Sequence, residues 1–180
     1  MSENLADRQA LGRSINQRCR LQGSFTLRSG QQADFYFDKY LFESNPVLLR
    51  SVATLARPLI PPDTEFLAGL ELGGVPVATA LSLLTGLPQL LVRKEAKTYG
   101  TAKLAEGPDF SGRRVLVVED VVTTGGQVAM STAELRQRGA LVDTVLCVID
   151  RSGGHHPPLD EAGLTVRSVL DLAFLDAVGA

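Results

Sequence analysis

The chain has 180 residues, 44% apolar and 21% charged, a balance that suits one globular domain over 1–180 and excludes wholesale disorder. A net charge of −2, no Trp and 6% aromatic residues offer neither a positive field for nucleic acid or anionic membrane nor a base-stacking platform. Two cysteines, Cys19 and Cys147, a polar start over 1–10 and interrupted apolar runs predict no disulfide framework, zinc site, secretory leader or membrane span, and so a cytoplasmic protein.

Leu5, Leu11 and Ile15 recur among charges at near-helical spacing and predict a helix over 3–20, broken at Gly23. From 25 to 42 the period shortens. Phe25 and Leu27, then Phe35 and Phe37, alternate around Ser29-Gly30 and predict a hairpin. Pro46 can open a second helix running to about Ile60, with Val47, Leu48, Val52, Leu55 and Leu59 inward and Pro61-Pro62-Asp63 as its stop. Beyond it strands are expected at 66–70, 87–92, 115–118, 142–149 and 166–170. Helices are expected from the Gly73-Gly74 turn through Leu84 and over 127–138, and 93–113 has no sustained period. Cys147, inside Val-Leu-Cys-Val-Ile, reads as core filler. Strand–helix repetition implies an α/β fold, a doubly wound parallel sheet with helices on both faces. Such sheets bind ligands beyond the carboxyl ends of their strands, which singles out 71–76, 93–107, 119–126 and 150–156.

The sharpest of these is 114–126. A fully apolar strand delivers Glu119 and Asp120, and Thr123-Thr124-Gly125-Gly126 then opens a helix. Unpaired N–H groups and positive dipole at a helix start, with glycines allowing close approach, suit a phosphate monoester. Neither GxxxxGK[ST] nor GxGxxG is present. Acids beside a phosphate need a reason. Hydrogen bonds to ribose hydroxyls, or stabilisation of positive charge on a sugar carbon, would supply one; an N-cap or an ion pair is the plain alternative.

The run 117–126 resembles the signature of the type I phosphoribosyltransferases for phosphoribosyl pyrophosphate (PRPP), the activated ribose donor. That signature does not choose the acceptor base. Three other segments resemble the orotate phosphoribosyltransferases: 93–101, closed by Glu106-Gly107, is similar to their mobile catalytic loop; Phe25 to Gly30 with Phe35-Tyr36-Phe37-Asp38 to their N-terminal hood; and Asp150-Arg151 to their orotate-binding arginine. With 69–74 the resemblance spans about 24–152.

The resemblance implies the type I fold, with 1–45 as N-terminal helix and hood and 46–180 as core, and transfer of phosphoribose from PRPP to orotate. It implies a PRPP site of Arg28, Gly73, Gly74, Arg93, Lys94, Tyr99, Glu119, Asp120, Val121, Val122, Thr123, Thr124, Gly125, Gly126 and Gln127. Orotate would meet Tyr36, Phe37, Thr123 and Arg151, and catalysis would rest on Lys97, Glu119 and Asp120. Mg²⁺ would be held mainly by PRPP itself, with no direct protein ligand. A homodimer would share sites, Arg93, Lys97 and Tyr99 reaching the neighbour while Lys94 serves its own. Arg28, Tyr99 and Gly73 depart from the pattern, standing where Lys, His and Lys occur in other members.

The residues support these roles independently. Arg93, Lys94, Lys97 and Lys103 against Glu95 and Glu106 give 93–107 a local excess of positive charge, which suits a departing pyrophosphate. The Gly73-Gly74 amides could take one of its oxygens. Arg151 has the planar fork that fits a carboxylate, with a salt bridge to Asp150 as the alternative, and alternation lets only one of Tyr36 and Phe37 face the base squarely. His155-His156 lack a carboxylate cluster that would complete a metal site. A different acceptor base, such as a purine, is the enzymatic alternative. A PRPP-sensing regulator lacks a basic face, and a second, decarboxylating barrel would need about 250 more residues.

Overall fold

The computed structural model describes residues 2–26, 30, 32–94 and 104–179. Helix α1 (Ser2–Cys19) buries Leu11, Ile15 and Cys19, a stripe at i, i+4 and i+8, and leaves Leu5 exposed. It runs directly into β1 (Arg20–Thr26), which pairs antiparallel with β2 (Gln32–Phe37). The hairpin therefore exists but starts at Arg20, not Phe25. Gly23 does not stop the helix; the register slips between Gln22 and Phe25, and Gly23 takes φ 155° inside that bulge.

After α2 (Tyr40–Glu43), pinned by the fully buried Phe42, α3 (Pro46–Ala56) begins with Asn45 accepting hydrogen bonds from the Val47 and Leu48 N–H groups and Pro46 at the first helical position. Leu48, Val52, Ala53 and Ala56 point inward, whereas Val47 is 70% exposed, contrary to its expected inward place. The α-helix gives way at Ala56 to a 3₁₀ turn over Arg57–Leu59. Pro58 explains the early end: it lacks an N–H and its ring crowds the preceding turn.

Strands β3 (Phe66–Leu70), β4 (Gln89–Val92), β5 (Ala105–Glu106), β6 (Val115–Val122), β7 (Thr144–Asp150) and β8 (Thr165–Asp171) form one sheet in the order β5-β4-β3-β6-β7-β8. Only the β4–β5 pairing is antiparallel. Alternation divides the core. Leu67, Leu116, Leu146 and Val148 pack with Ile15 of α1, Val52 of α3 and Val77 of α4 (Gly74–Thr85) on one face. Ala68, Val117, Val145 and Cys147 pack with Val128 and Leu135 of α5 (Gly126–Gln137) and Leu159 of α6 (Pro157–Glu161) on the other. Cys147 is core filler, and its thiol is pushed up by burial. A final helix, α7 (Leu172–Gly179), follows β8 without a break and is tied to α1 by Asn16 Nδ2 donating to the Leu175 carbonyl at 2.6 Å.

β6 runs to Val122, four positions past the expected end at Val118, because its ladder with β7 continues through Val121↔Ile149 and Val122↔Asp150. Its ladder with β3 stops at Gly69↔Val118. Beside that point β3 and α4 touch backbone to backbone: a Cβ on Gly69 would lie 2.8 Å from the Gly74 carbonyl oxygen and 2.9 Å from Ala78 Cβ and Val75 Cα. Gly69→Ala should therefore force α4 off the sheet and cost about 1–3 kcal/mol of stability, the range for overpacking. Urea denaturation checks this, and an unchanged midpoint would contradict the packing described.

Candidate active site

Because β3, β6 and β7 are parallel, their carboxyl ends open on one side of the sheet, where three following loops meet. After β6, Thr123 and Thr124 are exposed, and α5 starts at Gly126 with no acidic residue in its first turn. The Gly125 carbonyl accepts from Ala129 N–H at 2.9 Å, so the amides of Gly126, Gln127 and Val128 precede the helical ladder. Gly125 has φ 80°, and a Cβ there would meet Leu159 at 2.5 Å; both favour glycine. Gln127 Nε2 is turned along the helix to Ser131 Oγ. The result is an uncompensated positive helix end bordered by two hydroxyls, suited to an anion.

Glu119 and Asp120 sit one step back, within β6 beyond the end of its β3 ladder. There the Asp120 N–H donates to Glu119 Oε1 at 3.0 Å and the Val121 N–H to Asp120 Oδ1 at 2.6 Å. Asp120 is 0% exposed and meets Lys39 Nζ at 2.5 Å through Oδ2. An ion pair is thus present, and it locks a carboxylate at the mouth of the sheet. Burial alone would raise Asp120, but hydrogen bonds from Glu119, Glu43 and Lys39 bring it below the usual carboxylate range. Burial, followed by the bond and charge of Asp120, pushes Glu119 up to about 9. One of the adjacent acids is thereby charged and the other protonated at neutral pH.

Gly73 and Gly74, after β3, are both buried. A Cβ on Gly73 would strike the Asp120 carboxylate and Glu43 Oε1, and one on Gly74 would strike the Val118 carbonyl. Glycine is required at both by close packing on β6. The Glu71–Leu72 peptide is cis.

After β7, Asp150 turns inward. It accepts from Ser152 N–H at 2.9 Å and Ser152 Oγ–H at 2.6 Å and faces His156 Nε2 at 3.1 Å. Its pKa is lowered, the Ser152 hydrogen bonds and then His156 overcoming desolvation. The expected alternative, Asp150 pairing with Arg151, does not occur. His156 is buried in this knot while His155 is exposed. The Arg151 side chain has no hydrogen-bond or ion-pair partner among the described residues; its guanidinium carbon lies 6.0 Å from the Phe37 ring centroid. Both line a cavity of about 310 Å³ with Phe35, Ile149, Leu172, Leu175, Arg20, Asn16 and Asp176. Arg20 is committed there, stacking on Phe35 at 4.2 Å and pairing with Asp176 at 3.3 Å. Of the two hairpin aromatics, Phe37 lines the cavity and Tyr36 turns onto Phe25, ring centroids 5.7 Å apart.

At the end of β4, Arg93 lies 3.8 Å from Glu106 across the β4–β5 pair, and Lys94 is exposed. Arg28, Lys97 and Tyr99 lie outside the described residues. Lys39, Glu43 and Arg20 were not anticipated from sequence. The one signal for Lys39 and Glu43 is that they flank the short apolar run Tyr40-Leu41-Phe42, of which Phe42 is buried; nothing local marks Arg20.

No protein-family model matches the chain. It is 60% identical over 167 residues, 93% of each protein, to the orotate phosphoribosyltransferase of Nocardioides sp. (strain ATCC BAA-499 / JS614). Two crystal structures of Mycobacterium tuberculosis H37Rv orotate phosphoribosyltransferase share its fold. The inorganic phosphate complex has a TM-score of 0.84 at 34% identity, over 95% of this chain and 99% of that one. The PRPP complex has a TM-score of 0.81 at 32% identity, over 94% and 99%. A phosphate-ready helix start, a buried acid pair beside it and an uncommitted arginine over an aromatic wall thus occur in a chain that belongs to the orotate phosphoribosyltransferases, with their type I phosphoribosyltransferase fold.

Proposed function

We propose that the chain transfers the 5-phosphoribosyl group of PRPP to orotate, giving orotidine 5′-monophosphate and pyrophosphate, a step in making pyrimidine nucleotides. The observation that carries the reading is the common opening of three strand ends, where the bare α5 N-terminus, the Asp120 anion and the free Arg151 fork lie on successive loops.

The 5′-phosphate rests on the amides of Gly125, Gly126 and Gln127 and the hydroxyls of Thr123 and Thr124, with Val121 and Val122 as its backbone approach. Glu119 and Asp120 take the ribose hydroxyls. As the C1–O bond to pyrophosphate breaks, positive charge grows on C1, and a fixed anion nearby stabilises it without reorganising. Pyrophosphate leaves toward the Gly73-Gly74 turn, and Arg28, Arg93, Lys94, Lys97 and Tyr99 are the side chains assigned to receive it. Orotate presents its carboxylate to Arg151 and its ring to Phe37, with Tyr36 on the outer side of the hairpin and Thr123 at its edge, so that N1 meets C1 and the new bond forms there as the N1 proton passes to the departing pyrophosphate or to solvent.

Mg²⁺ is part of the proposal as an ion that travels with the donor, coordinated mainly by pyrophosphate and ribose oxygens. Among the described residues no three His, Cys, Asp or Glu side chains gather to hold a metal. When bound it supplies neutralisation of the leaving group's charge. We further propose residues 1–45 as helix and hood, 46–180 as core, and a homodimer with shared sites; exposed Leu72, Leu83 and Leu84 provide apolar surface for a partner. Two free, buried cysteines fit a reducing cytoplasm, and no helix among the described residues is long and apolar enough to cross a membrane.

With PRPP and Mg²⁺, ultraviolet absorbance should show consumption of orotate and not of hypoxanthine, adenine or uracil; turnover of a purine with orotate untouched would overturn the acceptor. Arg151→Ala should raise the KM for orotate by about 10–100-fold, the worth of a charge-assisted bidentate contact, and leave that for PRPP nearly unchanged. An unaltered orotate KM would remove Arg151 from the site. Lys97→Ala should lower kcat far more than it weakens PRPP binding, and equal losses would refute a role confined to the transition state.

A further inference from the structure

Glu43 is unusual for a glutamate. It is 6% exposed, and Oε1 accepts no hydrogen bond among the described residues. An ionised carboxylate so placed would carry a heavy desolvation cost. Its surroundings show how it is held. A Cβ built on Gly73 would lie 2.8 Å from Glu43 Oε1 and closer still to the Asp120 carboxylate, so the two carboxyls face each other across a residue with no side chain. Asp120 Oδ2 is buried too and accepts no aligned hydrogen bond, although Lys39 Nζ stands beside it. The two carboxyls share a side-chain hydrogen bond, and between two acceptor groups such a bond needs a proton. With that proton on Glu43, its O–H donates to Asp120, Asp120 remains the anion, and Lys39 supplies the countercharge.

We propose that Glu43 and Lys39 are positioning residues for phosphoribosyl transfer: the segment that follows the N-terminal hairpin reaches under the Gly73 turn and holds the Asp120 carboxylate, charged and oriented, for the ribose of the donor. The inference rests on Asp120 meeting the ribose. Neither residue touches substrate in this account; both act through Asp120. Phe42, fully buried between them, anchors α2 in the core and fixes both side chains relative to β6.

The charge balance agrees. Burial, then the hydrogen bond and charge of Asp120, pushes Glu43 up to about 8. The groups facing it are Asp38 and Lys39 on its own segment, Cys19 at the end of α1 and Asp120 on β6; Glu119 stands against Asp120 and Lys39. Desolvation pulls Lys39 down, but Asp120 outweighs it and keeps the ammonium charged. Burial carries the Cys19 thiol to about 11 and Glu119 to about 9. Glu43 therefore holds its proton at neutrality and gives it up as pH rises past about 8. Asp120 then loses a donor and gains a second negative charge against it, with one lysine shared between them.

The test is the pH profile of kcat/KM for PRPP in the wild type, Glu43→Gln, Glu43→Ala, Lys39→Met and Lys39→Arg, each with its thermal melt recorded. Substrate ionisations are common to all and cancel in ratios. Glu43→Ala should lose about tenfold or more at neutral pH, the worth of a hydrogen bond to a charged group. Glu43→Gln, whose amide still donates, should recover most of that and lack the decline the wild type shows as pH passes about 8. Lys39→Met should lose mainly kcat, and Lys39→Arg should restore it. A Glu43→Gln to wild-type ratio constant from about pH 6 to about pH 9, or full kcat in a folded Lys39→Met, would overturn the proposal. Wild-type turnover in Asp120→Asn would instead remove the ribose assignment on which it stands.

Discussion

At Gly69 and Val118 the ladder between β3 and β6 ends, while β6 continues beside β7 through Val122. The overhang leaves one edge of β6 without a backbone partner just where Glu119 and Asp120 stand. The Asp120 and Val121 N–H groups are met by carboxylate oxygens of the two acids, which satisfies groups that a buried strand end would otherwise leave costly. The same overhang opens the gap into which the Gly73 turn and Glu43 pack. A buried charged carboxylate at the carboxyl end of a sheet is tolerated here only because Lys39 and two neighbouring carboxyls surround it. The proposed chemistry at the ribose depends on that tolerance.

The flanking strands complete the arrangement by their own endings. β6 passes through two threonines into α5, so its last turn becomes a bare helix start; β7 passes into the Asp150–Ser152–His156 knot. By consuming the Asp150 carboxylate inside the loop, that knot leaves Arg151 without an internal counterion and so available to an external one. Leu159, just beyond, packs where a Gly125 side chain would be, so the loops after β7 and β6 are braced against each other. The first two strands bring Phe37 over Arg151 from the far end of the sequence.

What the sequence revealed followed from local rules. The apolar run at 115–118, the acids after it and the Thr-Thr-Gly-Gly turn are contiguous, and each has a local physical meaning, so the parallel strand and the helix start that follows it could be read directly. The four-residue extension of β6 could not, because it depends on where β3 stops, and charged residues do not look like strand. Pro58 was present to be read as the end of α3, but the Pro61-Pro62 pair drew the boundary instead. Gly73 and Gly74 read as a phosphate turn; their demand for glycine is a tertiary contact with β6. Lys39 and Glu43 meet Asp120 across a large stretch of chain, and no local pattern marks a glutamate that keeps its proton. Helix α7 and the short β5 were missed for a similar reason: one continues a strand without a break signal, the other is a two-residue edge.

The claim beneath all of this is that a sugar phosphate lies with its phosphate on the start of α5 and its hydroxyls on Glu119 and Asp120. A crystal structure of the protein soaked with ribose 5-phosphate tests it most directly. The phosphorus should lie over the amides of Gly125, Gly126 and Gln127, with ring hydroxyls within hydrogen-bond distance of the Asp120 carboxylate and Lys39 still behind it. Ligand bound elsewhere, with the α5 start empty at saturating concentration, would contradict it.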